Sequence, residues 1–203
     1  MAIYDSESYR LPSNNQLSTT STLVGRLKDE SPERWQTFVL VYSPLLRFWI
    51  RQDKVKPDFV DDVLQETLKS AYTGIQQFQW KAGSGSFRGW LRTIAKRRSV
   101  DHFRSQPKDQ TANQSVLERV QVPEQKDPAA MEGEEKALID LKARALEVVR
   151  QSTSEKSWQM FWLSVVEGLP SQDIARRFKV TTAGVRMAKA RVLNRLRELM
   201  PDM

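Results

Sequence analysis

Apolar residues recur along most of this chain at the spacing of amphipathic α helices. Between residues 86 and 104 they fall at i, i+3, i+4, i+7 and i+8, which is one face of a helix that turns about 100° per residue. The same period appears near residues 32–50, 58–75 and 136–199, and alternating strand-like runs are nearly absent. The pattern predicts an all-α protein. In the 86–104 segment the stripe consists of Phe87, Trp90, Leu91, Ile94 and Ala95.

Short polar residues and prolines that precede the apolar runs predict where helices begin. Ser31 is expected as an N-cap, followed by Pro32 at the first helical position. Pro44 is expected to kink that helix before it continues. Further N-caps are predicted at Asp58, Ser154, Ser171, and either Thr181 or Thr182.

Two stretches without helical period divide the chain. Residues 1–20 are polar and aperiodic, which predicts a disordered leader. Residues 107–135 are rich in Gln and Pro, and they contain seven acidic residues and three basic ones. This composition predicts a flexible linker that cannot bury enough apolar surface to fold. The remaining ranges, 21–106 and 136–203, are predicted to form two small helical domains.

The helix predicted at residues 86–104 also carries a basic row. Arg88, Arg92 and Lys96 follow at i+4 spacing on a face beside the apolar stripe. Arg98 and Asp101 project onto the apolar side at i, i+3 and are expected to pair. The remaining positive charge would meet either phosphate or water. A solvated face is the commoner explanation for such a row taken alone.

The connection before this helix contains two aromatic residues in a polar, Gly-containing stretch. Phe78 and Trp80 lie within residues 76–85. Aromatic side chains beside basic ones suit stacking on single-stranded bases. Packing back onto the core is an equally good interpretation.

The C-terminal part has the spacing of a helix-turn-helix. Ala175 is followed ten residues later by Val185. In that motif the first position must be small because the helices nearly touch there, and the second fills the angle between them. Residues 176–197 contain eight basic residues and no acidic one, as phosphate binding requires. A plain helical hairpin is the alternative.

Composition excludes several kinds of site. The 203-residue chain has no Cys and one His, which removes disulfides, thiolate zinc sites, thiol nucleophiles and multi-His metal centres. Its net charge is +7. No run of 18 apolar residues occurs, and the N-terminus lacks a basic start followed by an apolar core. We expect a soluble cytoplasmic protein with no membrane insertion, no bound metal and no cofactor.

Two segments resemble conserved regions of the bacterial sigma-70 family. Residues 61–67 (DDVLQET) and 87–104 (FRGWLRTIAKRRSVDHFR) resemble the second region. Residues 168–186 (GLPSQDIARRFKVTTAGVR), ending in 189–191 (KAR), resemble the fourth region. The two signatures stand in the family's order and are joined by a variable linker. Without the other regions, this arrangement resembles the extracytoplasmic-function (ECF) subfamily.

The resemblance implies a sigma factor: not an enzyme, but a protein that binds core RNA polymerase and promoter DNA. An anti-sigma factor is a further partner that it allows. The polymerase-binding residues would be Asp61, Asp62, Gln65 and Glu66. The minus-10 DNA-binding residues would be Phe78, Trp80, Lys81, Arg88, Arg92, Lys96 and Arg97. The minus-35 DNA-binding residues would be Thr181, Thr182, Arg186, Met187, Lys189, Ala190, Arg191 and Arg197.

Three positions depart from the family pattern. Arg97 stands where the family often has Asn, and Lys179 stands in a turn where Gly is usual. A non-Gly residue with positive φ costs about 1 kcal/mol. Gly184 replaces a usual Thr and weakens the start of the last helix by about 1 kcal/mol. These departures bear on the promoter sequence that is read more than on function.

Two other functions fit parts of the sequence. A one-component transcription regulator would use residues 20–106 as a sensing domain and the C-terminal unit as its DNA reader. A helical nuclease would use Asp61, Asp62 and Glu66 with a metal ion. Transcription with core polymerase separates the first from a sigma factor, and metal-dependent DNA cleavage would identify the second.

Overall fold

The computed structural model describes residues 24–25, 27–28, 31–78, 86–105 and 128–201. This part of the chain contains seven α helices and no strand, so the all-α prediction is confirmed for it. A 3-10 turn, Pro57–Phe59, precedes the second helix. The helices are α1 (Pro32–Gln52), α2 (Val60–Ile75), α3 (Phe87–Ser105), α4 (Pro128–Gln151), α5 (Glu155–Val165), α6 (Ser171–Phe178) and α7 (Thr182–Leu199).

Helices α1, α2 and α3 pack against one another around a common core. The predicted apolar stripe of α2 is buried except for Leu68, which is half-buried. Thr67 and Ser99 are fully buried polar residues, and their hydroxyls donate to the carbonyl oxygens of Val63 (2.7 Å) and Ala95 (3.0 Å). Because each hydroxyl bonds within its own helix, the core holds them without an unsatisfied polar atom.

An aromatic cluster holds the start of α3 against α1. Phe87 is fully buried, and its ring centre lies 5.7 Å from Tyr42, 6.0 Å from Phe38, 5.9 Å from Phe78 and 5.5 Å from Trp90. Edge-to-face aromatic pairs add about 0.5–1.5 kcal/mol each to the burial of their surface. The cluster therefore fixes where α3 begins.

A buried ion pair holds the middle of α3 to the end of α1. The guanidinium of Arg92 donates to both carboxylate oxygens of Asp53, at 2.8 and 2.9 Å. Only 5% of the Asp53 side chain and 19% of the Arg92 side chain are exposed. Arg92 also lies over the ring of Trp49, 5.9 Å from its centre. This two-pronged geometry is the one that favours Arg in buried pairs.

Helix α4 begins earlier than the sequence pattern predicts. Residues 128–135 belong to α4, although their composition had assigned them to the linker. Pro at the first position and the alanines after it favour a helix start. The segment also packs on α1: a Cβ on Gly133 would lie 2.7 Å from the Phe48 ring, and Trp49 Nε1 donates to Glu134 Oε1 at 3.2 Å. This tertiary contact is absent from the local pattern.

Helix α4 also connects α1 and α7 in one core. Its buried residues Leu141, Ala145 and Val149 share a cluster with α1 and with Val192 and Leu196 of α7. Tyr42 Oη donates to the carbonyl oxygen of Leu199 at 3.1 Å. Helices α1, α4 and α7 are therefore in contact, and the division into two domains stays a prediction.

Helices α5, α6 and α7 enclose a second core. Ala175 and Val185 both lie in it, as the sequence predicts, together with Ile174 and Ala188. Lys179 adopts the left-handed conformation, with φ 50° and ψ 52°, in the turn between α6 and α7. In α5, Trp162 and Val165 are both 40% exposed.

Only part of the predicted capping is correct. Thr181 caps α7 and accepts from the backbone nitrogen of Gly184 at 3.1 Å. Asp58 and Ser171 are wrong as caps, because Phe59 and Pro170 occupy the positions before α2 and α6.

Ser31 and Ser154 do precede helices, but their hydroxyls bond to other side chains. Ser31 Oγ donates to Glu33 Oε2 at 2.7 Å, which lowers the pKa of Glu33. The hydroxyl acts as the donor in this bond, and it accepts no capping bond from a backbone N–H of α1. Helix α1 continues past Pro44, as expected.

We expect Asp53→Ala to lower the free energy of unfolding by about 3–5 kcal/mol, because it removes the carboxylate that pairs with the largely buried guanidinium of Arg92. Urea denaturation followed by circular dichroism measures this change. The matched control is Arg47→Ala, which breaks the exposed Arg47–Asp61 pair. The control is expected to cost less than about 1 kcal/mol. Equal losses in both variants would contradict the structural role of the buried pair.

We expect Thr181→Ala to destabilise the chain by about 1 kcal/mol, because it removes a capping bond. Ser171→Ala is expected to be nearly neutral, because Ser171 is the first residue of α6 rather than its cap. Thermal unfolding distinguishes the two variants as a difference of about 2–4 °C. A larger loss for Ser171→Ala would support the cap that the sequence predicted.

Candidate nucleic-acid interface

Helix α3 presents cations on its outer surface. Lys96, Arg97 and Arg104 line a shallow groove of about 350 Å³, together with Thr93 and Val100. Arg97 and Arg104 are exposed, and Lys96 is half-buried. Arg92 and Asp101 also line this groove. The cations of this groove can contact successive phosphates along one DNA strand.

Not every predicted contact residue of α3 faces outward. Arg92 is held by Asp53 in the interior, so it positions the helix more than it presents charge. Arg88 is half-buried one turn earlier. The predicted Arg98–Asp101 pair is confirmed at 2.9 Å, and Arg98 Nε also donates to Ser70 Oγ at 2.7 Å. Arg92 and Arg98 thus hold α3 in place.

The sequence missed Arg104 as a member of this surface. It follows Lys96 by eight residues and Arg97 by seven, a helical spacing that could have indicated it. Phe103, in contrast, is 7% exposed and packs into the core.

The aromatic residues before α3 are described only in part. The ring centre of Phe78 lies 4.8 Å from that of Trp90. Phe78 is half-buried against the core, whereas Trp80 and Lys81 lie outside the described residues. A cavity of about 320 Å³ opens nearby between α2 and α3, and Thr73, Trp90 and Arg97 are among its lining residues. An aromatic wall and a cation therefore lie side by side at the start of α3.

Helix α2 carries an acidic face, which comprises Asp61, Asp62, Gln65 and Glu66. All four residues are exposed. Arg47 Nε lies 2.9 Å from Asp61 Oδ1, and Lys69 Nζ lies 2.7 Å from Glu66 Oε1. The bond from Lys69 lowers the pKa of Glu66. Two of the carboxylates of this face therefore each have a basic partner at the surface.

Two further residues border the acidic face. Phe59 is 36% exposed, and its ring centre lies 5.0 Å from that of His102 in α3. Burial lowers the pKa of His102, although the charge of Asp62 opposes this shift. Local sequence spacing carries no signal for this pair, because the two residues are far apart along the chain. Among the described residues, no group of three or more His, Asp or Glu side chains could hold a metal ion.

The outer face of α7 forms a second basic surface. Arg186, Met187, Ala190 and Arg191 are exposed, and 61% of Met187 is accessible. Thr182, Lys189 and Arg197 are half-buried, and Thr181 is exposed at the cap.

Some of the C-terminal basic residues form hydrogen bonds or ion pairs within the protein. Arg195 Nη1 donates to the carbonyl oxygen of Ser152 and to Thr153 Oγ1, which ties α7 to the turn before α5. Arg176 pairs with Asp173 within α6. The outward charge of this region is therefore smaller than the sequence count indicates.

No described helix is both long and apolar enough to cross a lipid bilayer.

Comparison with known families places the acidic face and the basic helix in one conserved unit. Residues 38–108 match the family model of sigma-70 region 2. This range is about a third of the chain and covers α2, α3 and most of α1. No curated protein matches the chain. The match supports a member of the sigma-70 family, with a role in promoter-directed transcription initiation.

Proposed function

We propose that this chain is an ECF sigma factor that directs core RNA polymerase to promoters with minus-10 and minus-35 elements. The observation that carries the proposal is the juxtaposition, within residues 38–108, of the acidic face of α2 and the outward cations of α3 on one bundle. Because the two faces carry opposite charges, the bundle can bind a basic protein surface and acidic DNA at the same time.

The acidic face of α2 is the proposed docking site for the polymerase. Its four residues are exposed and lie on successive turns of one rigid helix. Charged residues at the rim of an interface steer association and set the register of the partners. Arg47 and Lys69 flank the face and limit its repulsion within the free protein.

Helix α3 and the aromatic residues before it are the proposed minus-10 site. Unstacking a base costs a few kcal/mol, which stacking on aromatic side chains and contacts with cations can offset. Trp90 and Phe78 supply an aromatic wall, and Arg97 and Lys96 lie beside it. Trp80 and Lys81 are proposed to complete this site.

Helices α6 and α7 are the proposed helix-turn-helix that reads the minus-35 element. Its first helix, its turn and the start of its second helix enclose Ala175 and Val185 in one core. The exposed residues near the start of α7 would enter the major groove, with Arg186 and Met187 over bases. Arg191 and Arg197 would contact phosphates.

Transcription with purified core polymerase and a promoter-containing template tests the proposal as a whole. A sigma factor alone is expected to give transcripts with defined start sites. A one-component regulator would give none without another sigma factor, and that result would overturn the proposal. An anti-sigma partner would lower the yield when it is added to the same reaction.

We expect the double variant Asp62→Lys with Glu66→Lys to weaken binding to core polymerase at least about 100-fold, because each reversal places like charges together. Size-exclusion chromatography or fluorescence anisotropy with core polymerase measures the affinity. The matched control is Asp140→Lys with Glu147→Lys, which makes the same charge change on exposed residues of α4. Unchanged binding by the first variant would remove α2 from the interface.

We expect Arg186→Ala to weaken binding to the minus-35 element by about 1–3 kcal/mol and to relax specificity at one base position. Arg191→Ala is the matched control, and is expected to weaken all sequences equally and to reduce the salt dependence by about one unit of slope. Binding to a set of single-base variants at two salt concentrations separates these effects. An equal loss on all sequences for Arg186→Ala would assign it to phosphate.

A further inference from the structure

We propose that Arg97 makes the proposed minus-10 site selective for guanine, by donating to both acceptors of an unstacked guanine that lies against the Trp90 ring. The inference rests on the proposed function and deepens it, since it names the base that this chain selects. Its site is the cavity of about 320 Å³ between α2 and α3, which we call the Trp90 cavity. The cavity is lined by Ser70, Thr73, Gly74, Trp90, Thr93, Ile94, Arg97 and Arg98.

The Trp90 cavity has a size and a wall that suit a single base. Its volume lies at the lower end of the range of about 300–1,000 Å³ that is usual for small-molecule sites. The Trp90 ring is half-buried, with its centre 4.8 Å from that of Phe78 and 5.5 Å from that of Phe87. Every base can stack on an aromatic side chain, so this wall holds a base without selecting it.

Gly74, near the end of α2, lets the Trp90 ring lie close to that helix. A Cβ at this position would lie 3.3 Å from Trp90 Cζ2, which is a tight contact. Together with the ring contacts to Phe78 and Phe87, this close approach fixes the Trp90 ring in the free protein. A wall that is already in place needs little ordering when a base binds, which favours affinity.

Arg97 supplies the free donors of the Trp90 cavity. Its side chain is exposed, and it has no hydrogen bond or ion pair with another described residue. Arg98, the other cation that lines the cavity, donates to Ser70 Oγ at 2.7 Å and to Asp101 Oδ2 at 2.9 Å. The guanidinium of Arg97 is therefore the one that a base in the cavity can engage without breaking a contact within the described protein.

The hydroxyl groups of the Trp90 cavity already donate their protons to backbone carbonyl oxygens. These bonds run from Ser70 to Glu66, from Thr73 to Lys69 and Ser70, and from Thr93 to Gly89. No Asp or Glu is among the described residues that line the cavity. The cavity therefore offers a charged donor and lacks a carboxylate that could accept from an amino group of a base.

Guanine is the base whose edge matches this arrangement. Its O6 and N7 atoms are adjacent acceptors, and an arginine that donates to both is the commonest specific contact with a base. Adenine places an amino group beside N7, and cytosine presents an amino group, so both would face Arg97 donor to donor. Thymine offers one acceptor beside its methyl group. We therefore expect guanine to be preferred over adenine and cytosine by at least about tenfold.

Arg97 also connects the Trp90 cavity to the basic groove of α3. It lines both, whereas Lys96 and Arg104 line the groove alone. These neighbouring cations can contact the phosphates of the strand that carries the guanine. A free guanine nucleotide lacks that run of phosphates, so the expected occupant is a guanine within a DNA strand.

Forked DNA templates with base analogues test the inference in the complex with core polymerase. Each template carries guanine or adenine at one unpaired position of the minus-10 element, with thymine at the others. Fluorescence anisotropy measures the affinity, and the position with the largest preference for guanine is then filled with 7-deazaguanine or hypoxanthine. The first analogue lacks the N7 acceptor, whereas hypoxanthine keeps O6 and N7 and lacks the amino group of guanine.

The wild-type chain is expected to bind the guanine and hypoxanthine templates equally. It should bind the adenine and 7-deazaguanine templates about tenfold more weakly, because a bond from a charged donor is lost. Equal affinity for guanine and 7-deazaguanine at every position would overturn the inference, as would displacement of the strand by free deoxyguanosine monophosphate at the same concentration. If the chain binds neither core polymerase nor any forked template, the proposed function falls, and this inference falls with it.

Variants of Arg97 assign the selection to this side chain, and its exposure means that they leave the core intact. Arg97→Ala should bind the guanine and 7-deazaguanine templates equally. Arg97→Gln should shift the preference toward adenine, because an amide can bond to both N6 and N7 of that base. The matched control is Arg104→Ala, which removes an exposed cation of the groove and should weaken all templates by the same factor. A preference for guanine that persists in Arg97→Ala would assign the selection to another residue and overturn the inference.

Discussion

The buried pair between Asp53 and Arg92 is the interaction on which the N-terminal bundle depends. It joins the end of α1 to the middle of α3 by two short hydrogen bonds, with the Trp49 ring beneath the guanidinium. Breaking a buried pair by removing one partner is far more costly than breaking an exposed pair. Lys96 lies one helical turn after Arg92 on the same side of α3, and it lines the outer groove together with Arg97. The pair thus fixes the position of the helix that carries the basic surface.

The basic residues of this chain therefore have two roles, and their number alone does not distinguish them. Arg92, Arg98 and Arg195 bond to other parts of the protein and hold helices together. Arg186 and Arg191 remain exposed on α7, where a phosphate or a base edge can reach them. Charge that is already paired contributes little to counterion release on DNA. The affinity for DNA should follow the exposed subset rather than the net charge of +7.

Helix α4 connects these surfaces mechanically. It packs on both α1 and α7, so the basic surfaces of α3 and α7 share a single support. Leu141 and Ala145 of α4 are buried in the core that also includes α1, so separating the two helices would expose that core.

The sequence by itself determined the helices, the buried stripe of α2, the proximity of Ala175 and Val185, and the Arg98–Asp101 pair, because each depends on spacing within one helix or one turn. The resemblance at residues 61–67 and 87–104 lies inside the range that matches sigma-70 region 2, whereas the C-terminal resemblance stays a proposal. Only the tertiary structure decided that Arg92 turns inward, that Asp58 and Ser171 are not caps, and that residues 128–135 form a helix on α1. The reason is physical: local spacing fixes which side chains share a face, but the partner of that face comes from a distant part of the chain, and packing selects it.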